Sequence, residues 1–276
     1  MPNPVSYTAV LPIGEPTVAF LSGLLAGQRA ERQTRKGRRS LGSYRHAVLA
    51  LRWFLDGTRI AQLATDNHLG LSTAYRYLHE AIDVLAATAP SLHGALLAAR
   101  TAGHSHVHID GTLIHTDRSK AAGPTAGVDV WWSGKHHDHG GNVQVVTAPD
   151  GWPLWTSPVR PGREHDTTCA RTHDGLLDAL TDWTDTEHTV LADLGYEGEN
   201  TRLTCPIKKT RGATLTVEQR TINALHSATR ALAERGNSLL KTTFKGLRRV
   251  TLCPWRIGAI TAAALVLLHH EHDRTT

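Results

Sequence analysis

Three acidic side chains in this 276-residue chain have the type and placement that metal-assisted phosphate chemistry requires. Asp110 in HVHIDGT and Asp193 in VLADLGYEG each end an apolar run that predicts a buried strand. Glu234 in TRALAERGNSLLK lies on a predicted basic amphipathic helix. Carboxylates are the ligands that Mg²⁺ and Mn²⁺ prefer, and two such ions can clamp the attacking and leaving oxygens of an in-line displacement. The three residues therefore predict a two-metal site that cuts phosphodiester bonds.

The predicted helix around Glu234 also carries cations on the same face. Since an α-helix turns about 100° per residue, Glu234 and Lys241 lie roughly 40° and 20° round the axis from Arg230. Leu232 and Leu239 fall on the opposite side. Two interpretations stay open. Glu234 faces a metal ion while Arg230 and Lys241 contact phosphates, or Arg230 and Glu234 form an exposed pair worth a few tenths of a kcal/mol.

Two basic segments flank an acidic middle. Residues 29–45 carry seven Lys/Arg and one Glu, and residues 206–256 carry eleven Lys/Arg and two Glu. Residues 110–199 carry fifteen Asp/Glu and six Lys/Arg. Basic segments suit DNA phosphates and an acidic middle suits divalent cations, although each block by itself is also typical of a solvated face. With a net charge of +5, the chain is expected to bind an anionic partner.

Other classes of protein are disfavoured by composition. The isolated Cys169, Cys205 and Cys253 predict neither a zinc ribbon nor a disulfide framework. The N-terminus lacks a basic start followed by an apolar stretch, so we expect no signal peptide and a cytoplasmic location. The apolar run from Ile260 to Leu268 is too short to span a bilayer, so no membrane partner is expected.

The pattern divides the chain into three parts. Residues 1–43 are an N-terminal segment with a basic connector. Residues 44–100 predict three short helices with a Gly-containing turn before the third, which is typical of a helix-turn-helix DNA-binding domain. Away from the apolar stripe of the third helix lie candidate groove contacts: Tyr75, Arg76 and His79. A plain helical bundle with packed tyrosines is the alternative.

Residues 101–276 predict an α/β domain behind this all-α domain. A strand precedes Asp110, and a hairpin follows around the turn at 149–152. The remaining predicted elements are a helix over 166–180, strands over 189–192 and 203–207, and a long helix over 216–247 that is broken at Gly236.

Several further residues have two interpretations. Asp166 in GREHD is best interpreted as a helix N-cap, but Arg163 and Asp166 are also candidates for lining the site. Lys135 and the neighbouring histidines are interpreted as a DNA-contacting loop rather than a metal site. His106-x-His108-x-Asp110 resembles a zinc hydrolase motif of the metallo-β-lactamase type, although Gly111 stands where that motif needs His.

Residues 44–270 resemble a bacterial IS5-type insertion-sequence transposase with a DDE endonuclease domain. The matching stretches are STAYRYLHEAIDVL, HIDGTLI, WSGKHHDHGGNVQVV, SPVRPGREHD, LADLGYEG and the Arg230-x3-Glu234-x6-Lys241 spacing. The resemblance implies a ribonuclease H-like mixed sheet. It also implies that Asp110, Asp193 and Glu234 are the three carboxylates of the acidic triad and hold two Mg²⁺ or Mn²⁺ ions.

The activity implied by the resemblance is DNA transposition. The protein would cut at the terminal inverted repeats of an insertion sequence and join the ends to target DNA, as a homodimer or larger oligomer in the synaptic complex. The sequence departs from the family pattern at Ser227, where Tyr is usual, at Leu194, where a basic residue is common, and at Trp132, where Tyr is usual. These departures keep a catalytically inactive DNA-binding regulator as the alternative.

Overall fold

The computed structural model describes residues 8–276 except Lys36, Arg211 and Ala213. Three parts of the sequence predictions therefore lie outside the described residues. They are the first seven residues of the N-terminal segment, Lys36 of the basic connector and Arg211 of the second basic segment.

The N-terminal part of the chain is helical. Its helices are α1 (Glu15–Glu31), α2 (Ser43–Asp56), α3 (Ile60–Asp66), α4 (Leu71–Ala86) and α5 (Leu92–Thr101). Helix α2 ends at Gly57, whose φ of 66° is the left-handed conformation that favours glycine. The turn between α3 and α4 also uses a positive φ, at His68. The three helices predicted between residues 44 and 86 are confirmed.

A mixed sheet follows the helices. Its strands are β1 (His106–His115), β2 (Trp132–Ser133), β3 (Asp138–Thr147), β4 (Pro153–Thr156), β5 (Arg160–Pro161) and β6 (Thr189–Ala192). Strand β1 is central, because β3 pairs with it antiparallel on one side and β6 pairs with it parallel on the other. Strands β2, β4 and β5 extend the sheet along β3. This mixed sheet behind a set of helices confirms the predicted α/β domain with a mixed sheet that follows an all-α part.

The remaining helices cover the sheet. They are α6 (Asp166–Thr172), α7 (Leu176–Trp183), α8 (Val217–Thr243) and α9 (Ile257–Glu271), with short 3-10 helices at Leu194–Glu199, Lys245–Leu247 and Pro254–Arg256. Helix α8 begins where the sequence places a capping box. The Thr216 hydroxyl accepts from the Gln219 backbone N–H, and the Gln219 side chain accepts from the Thr216 N–H.

Helix α9 joins the two halves of the molecule. It is apolar all round and buried, with Leu265 and Leu268 almost completely shielded from solvent. It packs against α4 on one side and β4 on another, so one hydrophobic core runs through the helices and the sheet. None of the described helices is long and apolar enough to cross a membrane. The division at residues 43 and 100 stays a prediction.

Two predictions about strands were wrong. Asp110 lies in the middle of β1, because β1 continues to pair with β3 for six residues after its pairing with β6 has ended. Residues 203–207 form no strand, and only Thr204 bridges to Leu191. Pro206 lacks the N–H that a longer ladder needs, which explains why the pairing stops there.

Two predictions about helices were also wrong. The helix predicted over 166–180 is divided into α6 and α7, because Gly175 adopts a φ of 72° between them. Helix α8 is continuous through Gly236. A Cβ at Gly236 would collide with the carbonyl oxygen of Gly151, so this glycine serves a close approach between α8 and the β3–β4 turn.

Candidate active site

Asp110 and Asp193 come together because β1 and β6 run parallel. The β1–β6 pairing ends with Ile109 opposite Ala192, so the next residue on each chain is the aspartate. Asp193 is held by its own backbone turn, since its Oδ1 accepts from the Gly195 N–H at 2.7 Å. The predicted neighbourhood of the two carboxylates is therefore built directly into the strand register.

The surroundings of Asp110 disfavour its charge. Burial, followed by the nearby carboxylates of Asp193 and Asp166, raises the pKa of Asp110 to about 7. The cations of Arg230 and Lys135 oppose this shift without cancelling it. Asp110 consequently keeps much of its proton near neutral pH unless further positive charge reaches the site.

Asp166 is a third buried carboxylate beside this pair. Only 6% of its surface is exposed, and both oxygens have side-chain partners. Oδ1 accepts from Asn142 Nδ2 at 2.7 Å, and Oδ2 accepts from Lys135 Nζ at 3.0 Å. Its interpretation as a helix N-cap was wrong, because α6 starts at Asp166 itself and the cap position belongs to His165.

A buried hydrogen-bond chain orients Asp166. The hydroxyl of Tyr196 donates to Gln144 Oε1, and Gln144 Nε2 donates to Asn142 Oδ1 at 2.9 Å. Asn142 then donates to the carboxylate of Asp166. Sequence reasoning missed Asn142 and Gln144, although two amides inside the apolar run NVQVV were a signal that could have identified them.

Two glycines give Asp166 room to approach. A Cβ on Gly111, the residue after Asp110, would collide with Asp166 Oδ1. A Cβ on Gly195 would lie 2.7 Å from Asp193 Oδ1 and 3.3 Å from Asp166 Oδ2. Both glycines therefore leave space that a carboxylate fills, and Asp166 and Asp193 face each other across Gly195.

Helix α8 covers the Asp110 side of the sheet. Asn237 Nδ2 donates to Asp110 Oδ2 at 2.9 Å, and Lys241 Nζ donates to Thr112 Oγ1 at 2.6 Å. Burial lowers the pKa of Lys241, which the charge of Asp110 partly offsets. Asn237 was also missed. Asn237 lies three residues after Glu234, so it belongs to the helix face that the sequence predicted to carry Arg230, Glu234 and Lys241.

Glu234 is not brought against the aspartates. Its side chain is 55% exposed and accepts from Arg230 Nη2 at 2.7 Å. Burial opposes the charge of Arg230, but the bond to Glu234 and the charges of Asp193 and Asp110 raise its pKa. Arg230 therefore interacts electrostatically with all three carboxylates of the proposed triad. Across the described part of the chain, no three His, Cys, Asp or Glu side chains meet as a metal-binding group.

The histidines of the zinc-hydrolase motif lie beneath α8. His108 is 1% exposed, and burial lowers its pKa to about 4, so it is neutral. Its ring packs edge-on against His106 at 5.1 Å between centroids. The structure thus places these rings on the same strand as Asp110 without assembling a zinc site from the residues it describes.

The remaining site candidates lie at the surface. Tyr75 and Arg76 are exposed on α4, and Tyr75 stacks with the partly buried His79. Arg163 lines a cavity of about 350 Å³ together with Lys135 and Asp166. Contacts with DNA by these residues, and the triad roles of the three carboxylates, stay predictions.

Comparison with known proteins identifies the family. The DDE superfamily endonuclease family matches residues 109–269, which is more than half of the chain. This chain belongs to the DDE superfamily endonucleases. The matched range contains four acidic residues described above: Asp110, Asp166, Asp193 and Glu234.

Other comparisons add little to this DDE endonuclease assignment. Among solved structures, the chain is similar to a Mos1 transposase paired-end complex with the left transposon end. The two are 10% identical over 98% of this chain and 82% of that chain, with a TM-score of 0.22, which is too low to carry an argument. No curated protein matches the chain.

Proposed function

We propose that this DDE endonuclease is an IS5-type DNA transposase. It cuts double-stranded DNA at the terminal inverted repeats of an insertion sequence and joins the freed ends to target DNA. The observation that carries the proposal is the register of β1 and β6, which sets Asp110 beside Asp193 inside the span that matches the endonuclease family.

The donor set at the site fits Mg²⁺ or Mn²⁺. The ligands available are oxygens, from Asp110 and Asp193 with Glu234 as the third carboxylate of the proposal, and hard divalent cations prefer oxygen. The raised pKa of Asp110 indicates that Arg230 and Lys135 do not balance the burial and the negative charge around this carboxylate. Two divalent ions at these residues would activate a nucleophile and stabilise charge on the leaving oxygen.

The proposed reaction needs two displacements at phosphorus. Water first bonds to phosphorus while the phosphorus–oxygen bond at the element end breaks, and the departing oxygen takes a proton to become a 3′-hydroxyl. That hydroxyl then loses its proton and attacks a target phosphodiester, which releases a target 3′-hydroxyl. One phosphodiester replaces another in this second step, so no external energy source and no covalent protein intermediate are required.

The protein's cations would hold the DNA around these displacements. Arg230 and Lys241 lie on the α8 face that looks toward Asp110, and Lys135 approaches from the β2–β3 turn. Guanidinium and ammonium groups neutralise phosphate oxygens by charge-assisted hydrogen bonds. In the N-terminal helices, α3 and α4 are proposed to act as a helix-turn-helix, with Tyr75, Arg76 and His79 toward the bases.

DNA cleavage tests the proposal directly. The purified protein is incubated with a plasmid that carries the element's own ends, in Mg²⁺ or Mn²⁺ and then in EDTA. We expect metal-dependent cuts that map to the repeat ends. Equal cutting by Asp193→Asn would assign the nuclease to a contaminant and overturn the proposal.

A DNA-binding regulator without nuclease activity is the second candidate. It is favoured by the position of Glu234, which is paired with Arg230 at the surface rather than with the aspartates. Specific binding to the repeat ends with no cutting in either metal would establish this alternative. We expect dimers or larger oligomers on DNA, because two ends must be brought together before they are joined.

A further inference from the structure

Neither helix capping nor ion pairing explains why the carboxylate of Asp166 is buried. It does not cap α6, and its ion pair with Lys135 is a weak reason to bury a charge, because desolvation offsets the attraction. The side chain of Lys135 is 56% exposed, so its ammonium group keeps much of its contact with water and gains little from the pair. The burial of Asp166 therefore indicates that its carboxylate has a further binding partner besides Lys135.

Several buried polar side chains hold the carboxylate of Asp166 in place. Asn142 and Gln144 are 7% and 0% exposed, and Tyr196 is fully buried behind them. Their hydrogen bonds run in one direction, toward Asp166 Oδ1. Such a chain of donors is the arrangement that holds a ligand carboxylate in a set orientation.

The carboxylate is directed at the other two aspartates. Asp166 Oδ2 and Asp193 Oδ1 both lie within 3.3 Å of the position that a Cβ on Gly195 would occupy. Gly111 removes the side chain that would otherwise separate Asp166 from the strand carrying Asp110. Gly111 directly follows Asp110 and Gly195 lies two residues after Asp193, so Asp166 approaches both of the other aspartates.

Asn237 supplies a second and independent indication of a ligand. It is 8% exposed, and its Nδ2 donates to Asp110. Its carbonyl Oδ1 is buried and has no hydrogen-bond partner among the described residues. An unpartnered buried acceptor beside three carboxylates is unfavourable until a cation or a donor reaches it.

We propose that Asp166 is a further carboxylate of the cation site, acting with Asp110 and Asp193, and that Lys135 holds it in place until a divalent cation binds. This inference rests on the proposed function and adds a ligand to it. Since no three such side chains of the described residues meet as a metal-binding group without a cation, the cation would draw Asp110, Asp166 and Asp193 together before Glu234 is engaged. Lys135 would be released from Asp166 and become available to a DNA phosphate.

Mn²⁺ binding to the full-length protein without DNA tests this inference. Binding is measured from the electron paramagnetic resonance signal of free Mn²⁺. We expect Asp166→Asn to weaken Mn²⁺ binding at least about tenfold, the lower end for losing a group that merely supports a ligand. Glu164→Gln is the matched control, because it neutralises a carboxylate in the same segment that is paired with Arg160 and should leave Mn²⁺ affinity unchanged.

A second measurement uses the unaltered protein, in case Asp166→Asn fails to fold as judged by circular dichroism. Acetylation of Lys135 is followed by mass spectrometry with and without saturating Mn²⁺. A cation that takes Asp166 must free the ammonium group, so Lys135 should become more reactive. Unchanged reactivity, or an Asp166→Asn variant that binds Mn²⁺ like the parent, would overturn the inference and leave the proposed function intact. A parent protein that neither binds Mn²⁺ nor cuts DNA would overturn both.

Discussion

The aspartates beside β1 and β6 (Asp110, Asp166 and Asp193, called the sheet edge below) and Glu234 on α8 are held in different ways. At the sheet edge, Asp193 is fixed by the Gly195 N–H and Asp166 by a chain of buried amides. On α8, Glu234 is half exposed and held by the i,i+4 pair with Arg230. Such a pair is worth only a few tenths of a kcal/mol. The aspartates are therefore positioned by folding, whereas Glu234 can change partners when a phosphate competes for Arg230.

The largest effect is expected at the sheet edge. Asp193→Asn removes a charge next to Asp110 and should reduce cleavage by on the order of 10³-fold, since metal-held charge stabilisation is worth several kcal/mol. Binding to the repeat ends should persist. Glu197→Gln is the control, because Glu197 is exposed and paired with Lys208. An Asp193→Asn protein that cuts at the parent rate would overturn the proposal that this site is the nuclease.

Glu234→Gln should separate the two regions most clearly. We expect cleavage to fall by about 10²-fold, as for loss of one group that stabilises the transition state. Mn²⁺ affinity in the absence of DNA should not change, because Glu234 lies with Arg230 rather than with the aspartates. If Glu234→Gln weakened Mn²⁺ binding as strongly as Asp193→Asn in the DNA-free protein, the distinction between a fixed and a recruited carboxylate would be wrong.

Ionisation of Asp110 should lower the free energy of unfolding of the metal-free protein. Its pKa of about 7 in the folded state lies above the ordinary 3.8, so folding retains this proton and the free energy of unfolding falls as pH rises between these values. Asp110→Asn should remove the penalty and stabilise the protein at pH 8 by up to about 4 kcal/mol, since each pKa unit corresponds to about 1.36 kcal/mol. Thermal unfolding at pH 8 and at pH 4 measures this. The gain should disappear at pH 4, and equal gains at both pH values would contradict it.

The sequence was sufficient to predict the buried strands that lead to Asp110 and Asp193. Apolar runs before Asp110 and Asp193 predicted two buried strands, and parallel neighbours bring the residues after them together. The helix predicted from residue 216 begins where α8 begins, with Thr216 as its N-cap. These features depend on neighbours in the chain, so local patterns were enough.

The contacts around Asp166 could not be predicted in this way. An aspartate at the start of a helix has the local pattern of an N-cap, and only the packing of α6 against β3 gives it Asn142 as a partner. Asn142 and Gln144 alternate with valines, which is typical of a strand with one solvated face. In the structure α6 and Tyr196 cover that face, so both amides are buried. Their role depends on residues far away in sequence.

The smallest effect is expected where the two regions touch. Asn237→Ala removes the hydrogen bond from α8 to the carboxylate of Asp110, a loss of about 1.5–3 kcal/mol at most if Asp110 is charged and less while it is protonated. A hydrogen bond to the charged form favours ionisation, so its loss should raise the pKa of Asp110 further. Mn²⁺ binding should then require a higher pH, and its midpoint should move upward by a fraction of a pH unit.

Ser238→Ala is the control for Asn237→Ala, since Ser238 lies next to it on α8 with an exposed side chain. A pH titration of Mn²⁺ affinity for both variants isolates the effect from any general loss of helix stability. If Asn237→Ala lowered affinity equally at every pH, Asn237 would act as a ligand or a packing residue and not through Asp110. A shifted midpoint with the same affinity at high pH would show that α8 adjusts the charge of the sheet edge even though Glu234 stays outside it.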